Sequence, residues 1–168
     1  DPDITDSYRS DESGIFGTVA GVVRPRDLQD VVDLVADSAR HGRKLLPVGC
    51  QTATTGAAVP QDDVVLDMRT LTGVVDIDEK KRIVEVLPGT ITRELKDAVA
   101  AHGLFYPPDP TSEPECSIGG NVATNASGAR SFRWGMTARW IEGLEVVTGT
   151  GEVHRFHRRS VDKNTAGY

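Results

Sequence analysis

The sequence predicts an α+β domain with mixed sheets and flanking helices, divided near residues 60–75 into a small first lobe and a larger second one. Three observations lead there. Residues 18–48 run strand, helix, strand, the pattern of a parallel unit. Residues 64–87 hold three short β-rich runs, too closely spaced for helices to lie between them. From Phe105 to Asn125 a proline corner passes directly into a glycine-rich turn, the composition of a long shaped loop.

Residues 1–17 are acidic and polar and read as a loose lead-in, with no signal-peptide pattern. The first residue is not methionine, which reads as a trimmed start. Thr18 to Val23 suits a short strand that stops before Pro25. Asp27 is a helix N-cap; Leu28, Val31, Val32, Val35 and Ala39 then recur at helical spacing until Gly42. Lys44 to Val48 is the next strand, and it delivers a loop at its carboxyl end, where α/β units commonly hold ligands. Val64–Met68, Gly73–Ile77 and Arg82–Leu87 read as strands, with Asp78–Lys81 as a charged turn. Pro88-Gly89 breaks the chain. A second helix follows, with Ile91, Leu95, Ala98, Val99 and His102 on one face and Gly103 at its end. Ser117 to Ala126 begins a short helix, and Ile141–Thr148 pairs with Val153–Phe156 across a Thr-Gly-Thr-Gly turn.

Composition narrows the function. A 168-residue chain with 38% hydrophobic and 26% charged residues can bury a core. Its net charge of −6 argues against a nucleic-acid partner. No apolar run approaches the ~18 residues of a transmembrane helix. Cys50 and Cys116 are too few for a disulfide scaffold and too far apart for a zinc motif, and read as reduced thiols of a cytoplasmic protein.

Two loops carry the chemistry. In the first, Val48-Gly49-Cys50-Gln51-Thr52-Ala53-Thr54-Thr55-Gly56, small residues and three threonines offer converging N–H and hydroxyl donors, as a phosphate requires. In the second, Pro107, Pro108, Asp109 and Pro110 fix a corner ahead of Gly119 and Gly120, and Asn121, Thr124 and Asn125 follow. Proline sets φ and glycine admits close approach, while Asn and Thr supply hydrogen bonds of both senses.

The wording of these stretches is specific. P-x-D-P-x-S…C-S-I-G-G-N-V-A-T-N-A-x-G closely resembles the FAD-binding domain of the vanillyl-alcohol oxidase / p-cresol methylhydroxylase family, in its branch of D-lactate dehydrogenases and glycolate oxidase flavin subunits. Leu46–Pro60 resembles that family's first phosphate loop, and Trp134–Val153 its later strand pair. Lys163–Tyr168 matches another of its words or is a simple loop. Ordered motifs of this kind, covering about residues 18–168, are far more specific than one glycine loop.

The resemblance implies non-covalent FAD lying between the lobes. It places Val48, Gly49, Cys50, Gln51, Thr52, Thr55 and Gly56 at the pyrophosphate. Pro108, Asp109, Pro110, Thr111, Ser112, Gly119, Gly120 and Asn121 fall around the pyrophosphate and ribitol, and Thr124 and Asn125 near the isoalloxazine. Gly128 and Ala129 come close to the ring or ribityl chain. Gly143, Glu145 and Val147 either contact the adenosine end or pack a strand; Asn125 is otherwise a helix-terminal cap. Cys50 and Gln51 depart from the family's usual Gly or Ala. Some relatives attach FAD through a histidine near the first loop, and none occurs here between His41 and His102. Cys50 reads as a packing residue before a covalent anchor.

The implied reaction is oxidation of a 2-hydroxy acid or similar alcohol by hydride transfer to flavin N5. The catalytic base would lie outside these residues, in a cap domain, and the electrons would pass to an acceptor protein or quinone. No catalytic residue is assigned within the chain. Two other readings stand beside it: an FAD-binding module completed by further chain, and an electron-transfer flavin subunit without substrate chemistry. No metal site is expected, because His154 and His157 on a strand point to opposite faces. A nicotinamide fold is disfavoured, since no G-x-G-x-x-G follows the first strand.

Overall fold

A computed structural model describes residues 2–158. The Lys163–Tyr168 word lies outside the described residues. The elements run α1 (Pro2–Asp6), β1 (Thr18–Val23), α2 (Leu28–Arg40), β2 (Leu45–Val48), β3 (Gln61–Asp67), β4 (Val74–Asp78), β5 (Ile83–Val86), α3 (Thr92–Ala101), α4 (Ile118–Ala123), α5 (Ser131–Trp134), β6 (Gly143–Val147) and β7 (Val153–His157). Single 3-10 turns lie at Met68–Thr70 and Thr137–Trp140.

Parallel and antiparallel pairings occupy separate sheets. β1, β3 and β2 form a parallel sheet with β3 in the centre; β4–β5 and β6–β7 are antiparallel pairs. β3 begins at Gln61, before the apolar run that announces it, because its polar first residues pair with Thr18 and Val19 of β1. As central strand it is buried on both faces. Val65 packs with Tyr8 and Val48 on one side, and Leu66 packs with Val31 of α2 and Leu71 on the other. Val147 of β6 joins this second cluster. A third cluster, Leu95, Val99 and Ile118, lies between α3 and α4 and takes in Val74, Ile77, Val84 and Val86 from β4–β5.

Local signals explain the helices. Asp27 is extended (φ −158°) and its carboxylate accepts the Asp30 N–H at 2.8 Å, so α2 starts where the N-cap reading places it. Ser117 caps α4, accepting the Gly120 N–H at 3.3 Å. Among the described residues, no helix is long and apolar enough to cross a membrane.

The loose lead-in is corrected. Tyr8 is fully buried, and its hydroxyl donates to Asp67 Oδ2 at 2.6 Å, at the carboxyl end of β3. Arg69 clasps the same carboxylate (Nε to Oδ1, 2.8 Å; Nη2 to Oδ2, 3.1 Å) and donates from Nη2 to the tyrosine oxygen at 2.6 Å. Arg24 reaches the group from β1, with Nε 3.4 Å from Oδ2. A lone tyrosine in a polar stretch gives no periodic signal, so its burial is invisible to pattern reading.

Burial raises the Asp67 pKa, but hydrogen bonds from Arg69 and Tyr8 outweigh it and hold the carboxyl below its ordinary value. The ionised form is therefore favoured by folding. This contribution is fully present above about pH 4 and is lost as pH falls through the lowered folded value. Tyr8→Phe leaves a nearly buried carboxylate short of a donor, so urea titrations at neutral pH should show a loss of about 1–3 kcal/mol. The gap between wild type and variant should shrink at acid pH, and a constant gap would exclude the carboxylate as its source.

Candidate functional site

β2 and β3 end side by side, with Val48 opposite Asp67 in the register. The loop after Val48 and the turn after Asp67 therefore leave the sheet together. Val48 is buried core (1% exposed), so it anchors the first loop without presenting a side chain. Beyond it the loop meets the second motif. A Cβ on Gly49 would stand 2.6 Å from Ser117 Oγ, so only glycine lets the strand end press against the α4 cap. Cys50 is half-buried and a free thiol. Burial pushes that thiol up, while hydrogen bonding with Ser117 and the Arg69 charge pull the other way.

Gln51 sits at φ 57°, a left-handed conformation that glycine adopts freely. Its amide donates to the Ser10 carbonyl at 2.6 Å. The glutamine thus ties the loop to the N-terminal segment and does not point its amide at a ligand. Among the described residues, no backbone amide from Cys50 to Thr55 donates to a main-chain carbonyl. Thr52 is half-buried and Thr54 and Thr55 are exposed, which adds hydroxyls to these uncommitted amides. Gly56 (φ 74°) ends the loop, its carbonyl accepting the Val59 N–H.

The second motif is mostly committed to the fold. Pro108 and Pro110 are buried. Asp109 Oδ1 accepts the Arg130 N–H at 3.1 Å, and Oδ2 pairs with the Arg130 guanidinium at 3.4 Å. A Cβ on Gly128 would lie 1.8 Å from the Asp109 carbonyl oxygen, which allows Pro110 and Gly128 to bridge. The Ser112 carbonyl accepts the N–H groups of Glu115 and Cys116, and Thr111 is exposed beside it. Glu113 clamps this turn to α3 through Arg93 (2.8 Å) and Lys96. The Gly119 N–H donates to Pro88 O at 2.8 Å, and that of Gly120 to Ser117 Oγ. Asn121 is 3% exposed; its amide donates to Thr92 Oγ1 at 2.6 Å, and that hydroxyl donates to Cys116 O.

The far end of the motif is exposed. Thr124 bonds back to Gly120 O at 2.9 Å. Asn125 (φ 48°) lies just past the C-cap of α4, donates its N–H to Val122 O at 3.2 Å and accepts the Ala138 N–H at 2.9 Å on its side-chain oxygen. Ala129 borders a shallow recess with Phe105, Phe132 and Trp134. On β6, Gly143 and Glu145 are exposed, Glu145 pairing with Arg155, and Val147 packs against the core.

A profile of the family described as FAD binding domain matches residues 19–157. The chain belongs to this family, the p-cresol methylhydroxylase type of FAD-binding domain. A D-2-hydroxyglutarate dehydrogenase of Stutzerimonas stutzeri (strain A1501) is 32% identical over 170 residues, covering 100% of this chain and 36% of the relative. A glycolate oxidase subunit GlcD of Bacillus subtilis (strain 168) is 34% identical over 148 residues, 88% of this chain and 31% of the relative. A solved structure of alkyldihydroxyacetonephosphate synthase superposes with a TM-score of 0.74 at 25% identity, over 84% of this chain and 27% of that one. The chain thus spans about a third of the length of the curated relatives it matches.

FAD is the cofactor of this family, and the first loop fits it. A diphosphate needs several N–H donors converging on one place, and the amides from Cys50 to Thr55 are uncommitted where the strand ends. The second motif fits as a wall, because most of its donors are already bonded. The sequence reading missed the Tyr8–Asp67–Arg69 group beside the loop. Its available signal was an aspartate at the end of an apolar run with an arginine two positions later.

Gly49→Ala drives a methyl into Ser117 Oγ and should destabilise the chain by about 1–3 kcal/mol. Adding Ser117→Ala should recover part of that loss despite removing a helix cap. Simple additivity of the two changes in a double-mutant cycle would rule out the contact. Asn121→Ala should cost about 1–3 kcal/mol in the same titration, because it empties a buried hydrogen-bonded position.

Proposed function

We propose that this chain is the FAD-binding part of an oxidoreductase acting on a 2-hydroxy acid, with the cofactor held non-covalently. The observation that carries the reading is the first loop: threonine hydroxyls and amides that, among the described residues, have no main-chain acceptor, set at the carboxyl ends of parallel strands and braced by Ser117. Val48, Gly49, Cys50, Gln51, Thr52, Thr55 and Gly56 form the diphosphate seat. Within it, Val48 and Gln51 anchor the loop and the backbone from Cys50 to Thr55 donates. Pro108, Asp109, Pro110, Thr111, Ser112, Gly119, Gly120, Asn121 and Gly128 shape the facing wall, and Thr124, Asn125 and Ala129 stand on its exposed rim.

The bound flavin supplies the electron-accepting chemistry, taking a hydride from the substrate. The residues of this chain bind and orient. None described here is placed as a base, so proton removal falls to a part of the protein beyond this chain. The substrate class rests on the sequence relatives, whose names include D-2-hydroxyglutarate dehydrogenase, glycolate oxidase subunit and D-lactate dehydrogenase. The structural neighbour carries a different activity in its name, so the fold alone does not select the substrate. An acceptor protein or quinone takes the electrons, and two free thiols suit a cytoplasmic setting. The chain by itself is inactive. The second reading, a module completed by further chain, draws on the committed donors of Gly119, Gly120 and Asn121.

Purified chain mixed with FAD and desalted should keep the visible flavin absorption bands, and denaturation should release all of the flavin. Absence of retained flavin would reject a self-sufficient cofactor domain. Flavin that stays with the denatured chain would reject non-covalent binding.

A further inference from the structure

One cation beside the first loop has no role in the reading above. Arg69 stands two residues beyond Asp67, which is the register partner of Val48, so its turn emerges beside the loop that starts at Gly49. Its guanidinium is held firmly on one edge. Nε donates to Asp67 Oδ1, and Nη2 donates to Asp67 Oδ2 and to the Tyr8 hydroxyl. A guanidinium carries five N–H donors, and among the described residues the pair on Nη1 has no protein acceptor. The side chain is 41% exposed, so this edge is accessible. The charge reaches the loop, since it acts on the Cys50 thiol.

Two further observations favour this end of the loop for an anion. At the far end lies Asp11, 8% exposed; burial raises its pKa, but hydrogen bonds from Ser13 and the backbone amides of Ala58 and Gly56 outweigh it and keep the carboxyl ionised. A buried carboxylate there repels a phosphate. Arg24, the other cation of the cluster, follows β1, and β3 separates β1 from β2 and its loop. Arg69 alone of the two leaves the sheet next to the loop.

We propose that Arg69 is a direct contact of the cofactor diphosphate, donating from its Nη1 edge while Tyr8 and Asp67 hold the opposite edge. The contact deepens the FAD reading and rests on it for the identity of the ligand. A pre-oriented guanidinium suits a diphosphate because two N–H groups meet two oxygens without losing side-chain freedom at the moment of binding.

Arg69→Met and Arg69→Lys in the full chain test this, with FAD and riboflavin as probes, since riboflavin lacks the diphosphate. Arg69→Met should raise the FAD dissociation constant about 10–100-fold and leave riboflavin within about two-fold. Arg69→Lys, which keeps a cation against Asp67, should fall between and guards against a misfolded Met variant. Unchanged FAD affinity, or equal losses for both probes, would overturn the contact. Inorganic pyrophosphate separates this inference from the FAD reading. If wild type retains no FAD, a pyrophosphate-dependent rise in melting temperature that disappears in both variants still supports the anion contact. A rise unaffected by the substitutions, or none in wild type, overturns it.

Discussion

A nearly buried carboxylate at the end of the central strand is the constraint on which the site depends. Asp67 cannot stay ionised there unless donors converge on it, and the chain supplies them from separate places: Tyr8 from the N-terminal segment, Arg69 from the turn that follows, and Arg24 from β1. Meeting that demand does three things. It closes the N-terminal segment over the sheet, fixes the turn after β3, and sets a positive group beside the loop after β2. In a chain of net charge −6, attraction for an anion has to come from local positive groups of this kind.

The second constraint is close approach. Gly49 lies against Ser117, Gly119 against Pro88, Gly89 against the carbonyls of Met68 and Leu71, and Gly128 against the Asp109 carbonyl. These contacts run in series from the first loop to the proline corner. Each uses the missing Cβ to bring two backbone segments together. Asn121, Thr92 and Cys116 then lock the joint between α3 and α4 with buried hydrogen bonds. These bonds fix the segment against which the first loop lies.

Much of this was legible in the sequence, for a physical reason. Periodicity reports burial of regular elements, so α2, α3 and the strand pairs stand close to where their apolar spacing puts them. Asp27 announced α2 by cap chemistry, and the short helix read from Ser117 begins at Ile118. The N-terminal segment was misread because one buried tyrosine in a polar stretch makes no period. Its burial is set by a partner 59 residues away. The site was legible at the level of loops and less so at the level of atoms. Spacing can show that Asn121 sits in a family motif, but not that its amide is taken by Thr92 rather than offered to a ligand.

That difference bears on what a glycine-rich motif is for. Glycines 119 and 120 lie in the part of the chain that most resembles a nucleotide-binding word, yet their amides meet Pro88 and Ser117. The first loop departs from the usual pattern at Cys50 and Gln51, yet among the described residues its amides from Cys50 to Thr55 have no main-chain acceptor. Gln51 holds a left-handed backbone that would suit glycine, and the hydrogen bond to Ser10 offsets that strain. The departure therefore preserves the loop's shape by other means, and it links that shape to the segment carrying Tyr8. Donor availability, rather than glycine count, decides which loop can grip an anion. On that criterion the backbone from Cys50 to Thr55 is the better candidate, leaving the sheet beside the turn that follows Asp67.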